Sequence, residues 1–146
     1  MRTTPSQSSF ACVFNTTTRA TLTNSPNAEQ LFTNTYGCIT KVDLTACTRC
    51  RLNVTVSTAS ASANTPRLRL RYATSLSNPP VIGDFSDIGT AEVSCTMASV
   101  GCKDSGTISL ASAAKADVFV CIGELGGDGV ADPVVNMVTA HFYTDA

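Results

Sequence analysis

The sequence predicts an all-β domain, a two-sheet antiparallel sandwich with a jelly-roll-like arrangement of strands. Ser and Thr supply 36 of the 146 residues, Val and Ile recur, and Trp is absent, a composition that favours strands over helices. No window keeps the i, i+3, i+4, i+7 apolar spacing over the length of a helix. About eight to ten short strands separated by turn-rich stretches are typical of a sandwich or jelly roll.

A chain of this length fits one domain. Residues 1–9 are polar and include Pro5, so we interpret them as a flexible N-terminal arm, followed by a single sandwich domain over residues 10–146. The candidate strands, in order, are residues 11–14, 20–23, 30–36, 38–44, 49–57, 67–72, 92–97, 107–111, 117–122 and 134–143.

The clearest strands are residues 49–57 and 67–72, which alternate apolar and polar residues with a period of two. The Ala- and Ser-rich link between them is short enough for a hairpin. Five arginines, half of the basic residues, would then share the outer face of this hairpin. We call them the basic ridge: Arg49, Arg51, Arg67, Arg69 and Arg71.

Two interpretations of the basic ridge stay open. The arginines can pair with Thr, Asn or acidic neighbours on a solvated sheet face, or they can dock an acidic partner through paired hydrogen bonds to carboxylates. A nucleic-acid groove would interleave exposed aromatic residues, and only Tyr72 is near, facing inward. We therefore expect docking to protein and no direct contact with nucleic acid.

The later strands and loops follow the same logic. Asn78, Pro79 and Pro80 predict a rigid loop, residues 83–89 a long surface loop, and residues 126–129 a flexible hairpin connection. Residues 117–122 are apolar on both faces, which predicts a central strand. The last strand places Val134, Val138, Ala140 and Phe142 on one face. Its other face holds Val135, Met137 and Tyr143, which predicts a subunit interface.

The chain contains seven cysteines, and their odd number leaves at least one unpaired within the chain. The polar N-terminus and the lack of a membrane-length apolar segment predict a soluble protein made without a secretion signal, unless a signal was removed. Disulfides rarely persist in the cytosol, so we expect a protein made inside a cell that works outside it. The disulfide or cross-link candidates are Cys12, Cys38, Cys47, Cys50, Cys95, Cys102 and Cys121.

Zinc and redox chemistry are alternatives for Cys47 and Cys50, which have a two-residue spacer, but a second such pair is missing and the motif leads directly into a strand. Structural disulfides or buried thiols are therefore preferred. Cys95 and Cys102 bracket a predicted hairpin and form a plausible intrachain bridge. The remaining pairings stay open.

Several loop carboxylates could hold calcium or another ligand, although their spacing matches no dedicated calcium loop and solvated turn residues are the simpler interpretation. They are Asp84, Asp87, Asp104, Asp128 and Asp132. His141 has Asp145 four residues later, but no nucleophile turn accompanies it. We predict no catalytic residue, no metal and no cofactor, and so no enzyme.

The stretches RLRLRYATS and GTISLASAAKADVFVCIGELGGDGVADPVVNMVTAHFY resemble small β-sandwich virion proteins of tailed bacteriophages, of the head-decoration, head-fibre or appendage type. The resemblance covers about residues 50–144 and lies in strand rhythm, a Gly/Asp turn and an aromatic-ended last strand. It implies a jelly-roll-like subunit, commonly trimeric, bound to a capsid or tail protein on the outer surface of the virion. The cysteine content departs from that family and suggests cross-linking after lysis.

Our leading hypothesis is therefore a structural virion protein, made in the host cytoplasm, that stabilises the particle through oligomerisation and disulfides. It has no membrane partner. The alternative is a carbohydrate- or receptor-binding sandwich module, with the loops at residues 84–89 and 126–132 holding the ligand.

Overall fold

A computed structural model of the chain describes residues 9–15, 20–21, 29–32, 39–59, 66–125 and 133–144, with the backbone alone for residues 9–15, 20–21 and 30. These residues form two antiparallel sheets that pack face to face, as the sequence predicts. The strands are β1 (Ser9–Asn15), β2 (Ala20–Thr21), β3 (Gln30–Leu31), β4 (Ile39–Asp43), β5 (Arg49–Thr58), β6 (Arg67–Ala73), β7 (Ser86–Asp87), β8 (Ser94–Thr96), β9 (Gly101–Asp104), β10 (Ile108–Ser109), β11 (Asp117–Leu125) and β12 (Val134–Tyr143).

The strand order is that of a jelly roll. Sheet A runs β1-β12-β5-β10, with β2 beside β12 and β9 beside β5, and sheet B runs β3-β11-β6-β7, with β4 beside β11 and β8 beside β6. Short strands that share a partner can be counted as one: β1 with β2, β3 with β4, β7 with β8 and β9 with β10. The first strand then pairs with the last, β12, and the second pairs with β11. The third, β5, pairs with β9 and β10, and the fourth, β6, pairs with β7 and β8. A long antiparallel ribbon rolled into two sheets has this pattern.

Alternation along the strands builds one core between the sheets. β5 buries Cys50, Leu52, Val54 and Val56, and these side chains meet those of Leu68 and Leu70 on β6. β11 lies in the middle of sheet B, with β3 and β4 on one side and β6 on the other, and is buried on both faces. Its central position was predicted from its apolar character.

Strands β5 and β6 do not form the predicted hairpin. β5 pairs with β12, β9 and β10 in sheet A, whereas β6 pairs with β11, β7 and β8 in sheet B. Both strands bury alternate residues in the same core, so the period of two fits either arrangement. The chain between them passes from one sheet to the other.

The face assignment of the last strand was also partly wrong. β12 contains register irregularities between Val134 and Val135 and between Val135 and Met137. Because extra residues in a strand shift the alternation, Val135 is buried in the core while Val134 is only half-buried. Met137 remains on the outer face, 45% exposed.

The segment predicted as a surface loop at residues 83–89 is partly buried. A short 3-10 turn at Ile82–Asp84 leads into β7, Ile88 enters the main core, and Phe85 packs with Ala73 and Cys121 on the outer side of sheet B. The Gly-rich segment after Leu125 lies outside the described residues. It joins β11 in sheet B to β12 in sheet A, so it is not a hairpin connection.

Candidate functional site

The basic ridge is divided between the two outer faces of the sandwich. Arg49 and Arg51 lie on sheet A, and Arg67, Arg69 and Arg71 lie on sheet B, because β5 and β6 belong to different sheets. The prediction of one continuous five-arginine surface was therefore wrong. Any docking role has to be considered separately for each face.

On sheet B the arginines form an ion-pair network with acidic neighbours. Arg67 Nε donates to Glu92 at 2.7 Å, and Arg69 binds both Glu29 and Glu92. Arg71 pairs with Asp87 at 2.8 Å, and its Nε lies 3.3 Å from Glu29 Oε1. We call these six residues, Glu29, Arg67, Arg69, Arg71, Asp87 and Glu92, the sheet B network. It is the intramolecular pairing that the sequence left open as one interpretation.

The centre of the sheet B network is largely buried, unlike an ordinary surface ion pair. The side chains of Arg69 and Glu29 are only 17% and 9% exposed. Burial acts to raise the pKa of Glu92, but hydrogen bonds from Ser94, Arg69 and Arg67 outweigh it and lower that pKa. Burial likewise opposes the charge of Arg69, yet pairing with Glu29 and Glu92 raises its pKa. The network thus ties Glu29, which leads into β3, to strand β6 of sheet B.

On sheet A, Arg51 forms a paired contact with Asp104 on the neighbouring strand β9. Arg51 Nε donates to Asp104 Oδ1 at 3.3 Å, and its Nη2 donates to Oδ2. Asp104 also accepts hydrogen bonds from Asn53 and from the backbone of Gly106, and its pKa is lowered, chiefly by Arg51. Asp104 therefore fixes the positions of Arg51 and Asn53.

These side chains line a shallow depression on the outer face of sheet A. Its volume is about 410 Å³, and its walls are Arg51, Asn53, His141 and Tyr143. His141 lies opposite Arg51 in the register of β12 with β5. The hydroxyl group of Tyr143 shares a hydrogen bond with that of Thr107. The backbone of His141 pairs within the sheet, but its side chain forms no hydrogen bond or ion pair within the described ranges.

A second feature of sheet A is a row of three side chains across β12, β5 and β9. Thr55 is the register partner of both Met137 and Cys102, and its hydroxyl oxygen lies 3.9 Å from the Cys102 sulfur. Met137 and Cys102 are exposed, and Val100, just before β9, is 62% exposed. We call Met137, Thr55 and Cys102 the apolar row.

The cysteines do not form the predicted intrachain bridge. The five whose side chains are described are not joined by disulfide bonds: Cys47, Cys50, Cys95, Cys102 and Cys121. Cys95 points into the core from sheet B while Cys102 is exposed on sheet A, because β8 and β9 lie in different sheets and form no hairpin. Burial raises the pKa of Cys50 and of Cys95 to about 12. The side chains of Cys12 and Cys38 lie outside the described residues.

The candidate ligand carboxylates that can be placed serve local structure. Asp84 accepts hydrogen bonds from Ser77 and from the backbone of Val81, which lower its pKa, and Asp87 pairs with Arg71. Asp128 and Asp132 lie outside the described part of the chain. No group of three or more His, Cys, Asp or Glu suited to a metal ion occurs among the residues placed. The same residues include no helix long and apolar enough to cross a membrane.

The chain forms a β-sandwich with jelly-roll strand order. The outer face of sheet B carries the ion-pair network, and that of sheet A carries the apolar row and a polar depression. No protein-family model, no curated protein and no solved structure matches the chain.

Sequence reasoning missed the acidic half of the sheet B network and the depression. The only signal for the network was the presence of Glu29 and Glu92 in a chain with few charges. For the depression, alternation assigns Arg51 and Asn53 to the outer face of β5. Their position beside His141 and Tyr143 depends on pairing between strands far apart in sequence, which alternation does not specify.

Proposed function

We propose that the protein is a structural virion subunit that associates with copies of itself and with a capsid or tail protein. The observation that carries the proposal is the apolar row on sheet A, in which an exposed methionine, a threonine and an exposed thiol lie side by side on a rigid sheet. Association surfaces are built from exposed apolar groups that lie next to one another, and the apolar row supplies a centre for one. The rolled strand order, which is common in capsid subunits, adds support.

The apolar row replaces the interface that the sequence suggested for the last strand. Val135 is part of the core, so the apolar character of the outer face comes from Met137, with Val100 two residues before Cys102 in the chain. When two subunits associate, Cys102 is the described thiol most accessible for a covalent link between them. We expect a homo-oligomer, with three copies as the favoured number.

Light scattering coupled to size-exclusion chromatography tests self-association. We expect a mass that is a multiple of 15.2 kDa, lowered towards one copy by Met137→Asp and retained by the control Val81→Asp, since Val81 is also exposed but lies on the sheet B side. Cys102→Ser should leave the native mass unchanged and remove any covalent dimer in non-reducing gels. A wild-type monomer at all concentrations would refute self-association.

Attachment to a particle is tested separately. In cells that produce the chain, virions banded in a density gradient should contain it at a fixed copy number relative to their major capsid subunit, as measured by quantitative mass spectrometry. Its absence from washed particles would overturn the assignment to the virion.

A further inference from the structure

The depression on sheet A is a candidate small-molecule site, considered separately from the proposed assembly role. Its volume of about 410 Å³ falls within the range of about 300–1,000 Å³ found for ligand sites. It lies between the central strands β5 and β12, which are paired on both sides, so its base is rigid. The apolar row lies further along the same sheet face, with Thr55 two residues after Asn53 on β5.

The walls are oriented before any ligand arrives. Asp104 holds Arg51 and Asn53, and Thr107 holds the hydroxyl group of Tyr143. The Arg51–Asp104 pair uses two guanidinium N–H groups and leaves the others available. His141 contributes a half-buried imidazole with no hydrogen bond to any described residue. Fixed donors and acceptors cost less entropy when they bind.

The balance of charge identifies the class of ligand. Arg51 is neutralised by Asp104, so the walls offer little net attraction to a phosphate or another multiply charged anion. Arg51, Asn53 and His141 do offer planar donors and acceptors that suit adjacent hydroxyl groups on a ligand. Tyr143 adds its aromatic ring. A phenol ring packs well against an apolar face while the polar edge of the ligand forms hydrogen bonds.

We propose that the depression binds a neutral saccharide, whose ring packs on Tyr143 and whose hydroxyl groups bond to Arg51, Asn53 and His141. This differs from the loop site that the sequence suggested, because Asp84 and Asp87 are engaged in local contacts. The depression is shallow and open, so one sugar unit of a longer glycan can enter while the remainder stays in solvent. The expected dissociation constant for one unit is on the order of 1 mM, typical of few hydrogen bonds and little buried area.

The test is a titration of the isotope-labelled full chain with neutral methyl glycosides of hexoses, deoxyhexoses and N-acetylhexosamines, followed by amide chemical shifts. At least one glycoside should shift the amides of Asn53, Thr139 and His141 with saturation. His141→Ala should weaken binding about tenfold without loss of fold, since His141 has no described hydrogen-bond partner. Tyr143→Ala should abolish binding, and Tyr143→Phe should preserve it within about twofold.

Two controls give the result its meaning. Thr40→Ala, exposed on the edge of sheet B, should bind as the wild type does. Sodium phosphate and methyl glucuronide should compete weakly or not at all. The proposal is overturned if no neutral glycoside shifts these amides, if phosphate or the glucuronide binds more tightly than every neutral glycoside, or if His141→Ala and Tyr143→Ala bind like the wild type.

Discussion

The carboxylate of Glu29 lies directly over Gly123 on the outer face of sheet B. A β-carbon at residue 123 would come within 2.8 Å of the Glu29 carboxyl carbon and one of its oxygens. The absence of a side chain on β11 at this point is what gives Glu29 room to pair with Arg69 and Arg71. A glycine in a central strand, normally weakening, here allows a nearly buried ion pair.

Gly123→Ala should therefore destabilise the protein by about 1–2 kcal/mol, in the range of overpacking, because Glu29 must move away from its arginines. Urea unfolding measures the change. In a Glu29→Ala background the same substitution should cost close to nothing, since the obstructing carboxylate is gone. Equal costs in the two backgrounds would show that the two residues are not coupled.

Arg69→Ala should destabilise the protein by about 2–3 kcal/mol, because it leaves Glu29 with little water and one partner fewer. Arg51→Ala is the matched control on the other sheet. Its pair with Asp104 is 39% exposed on both sides, and such pairs contribute about 0–1 kcal/mol. Thermal and urea unfolding should rank the variants in this order, and similar losses for both would contradict it.

The described thiols should differ sharply in their reactivity towards a maleimide. Cys102 is exposed and should be labelled within minutes in the native protein, whereas Cys47, Cys50, Cys95 and Cys121 are buried and should react only after unfolding. Burial also raises the pKa of Cys47, as it does those of Cys50 and Cys95, and the thiolate is the reactive form. Peptide mapping by mass spectrometry identifies the labelled positions. Rapid native labelling of Cys50 would contradict the buried assignment.

The folded protein should lose stability in acid. Asp84, Asp104 and Glu92 have pKa values below their ordinary ones in the fold, so they contribute stability above the unfolded values of about 3.9 for Asp and 4.3 for Glu. That contribution is lost as pH falls through the lower folded values. Melting temperatures recorded from pH 7 to pH 2 should fall below about pH 4. Glu92→Gln should flatten part of this fall, and an unchanged pH profile in that variant would exclude Glu92 as a contributor.

The sequence predicted the sandwich and its longest strands because a period of two is written locally in β5, β6 and β12. It did not predict which strands are neighbours. The alternation in β5 is compatible with a hairpin between β5 and β6. It is equally compatible with the observed arrangement, in which β5 lies in sheet A and β6 in sheet B, since both arrangements bury the same residues of β5. Strands β7 and β9 were missed because two to four mostly polar residues carry no periodic signal.

The candidate sites show the same division. Arg67, Arg69 and Arg71 were correctly assigned to one face of a strand. Their acidic partners, Glu29, Asp87 and Glu92, are brought to them only by folding. The register irregularities between β12 and β5 could not be predicted from the sequence either, and they place Val135 in the core instead of on the outer face with Met137. Ion pairing and register between distant strands depend on the whole packing, which local patterns do not specify.

The rolled order of strands also determines when the protein can fold during its synthesis. β1 pairs with β12, and β12 is also the central partner of β5. Until Val134–Tyr143 has left the ribosome, β1 has no partner and one side of β5 stays open. Unpaired strand edges on incomplete chains promote aggregation, and contacts between residues this distant form slowly. A chain that ends before β12 therefore lacks the strand that joins β1 to β5, and we expect it to aggregate unless chaperones or proteases remove it.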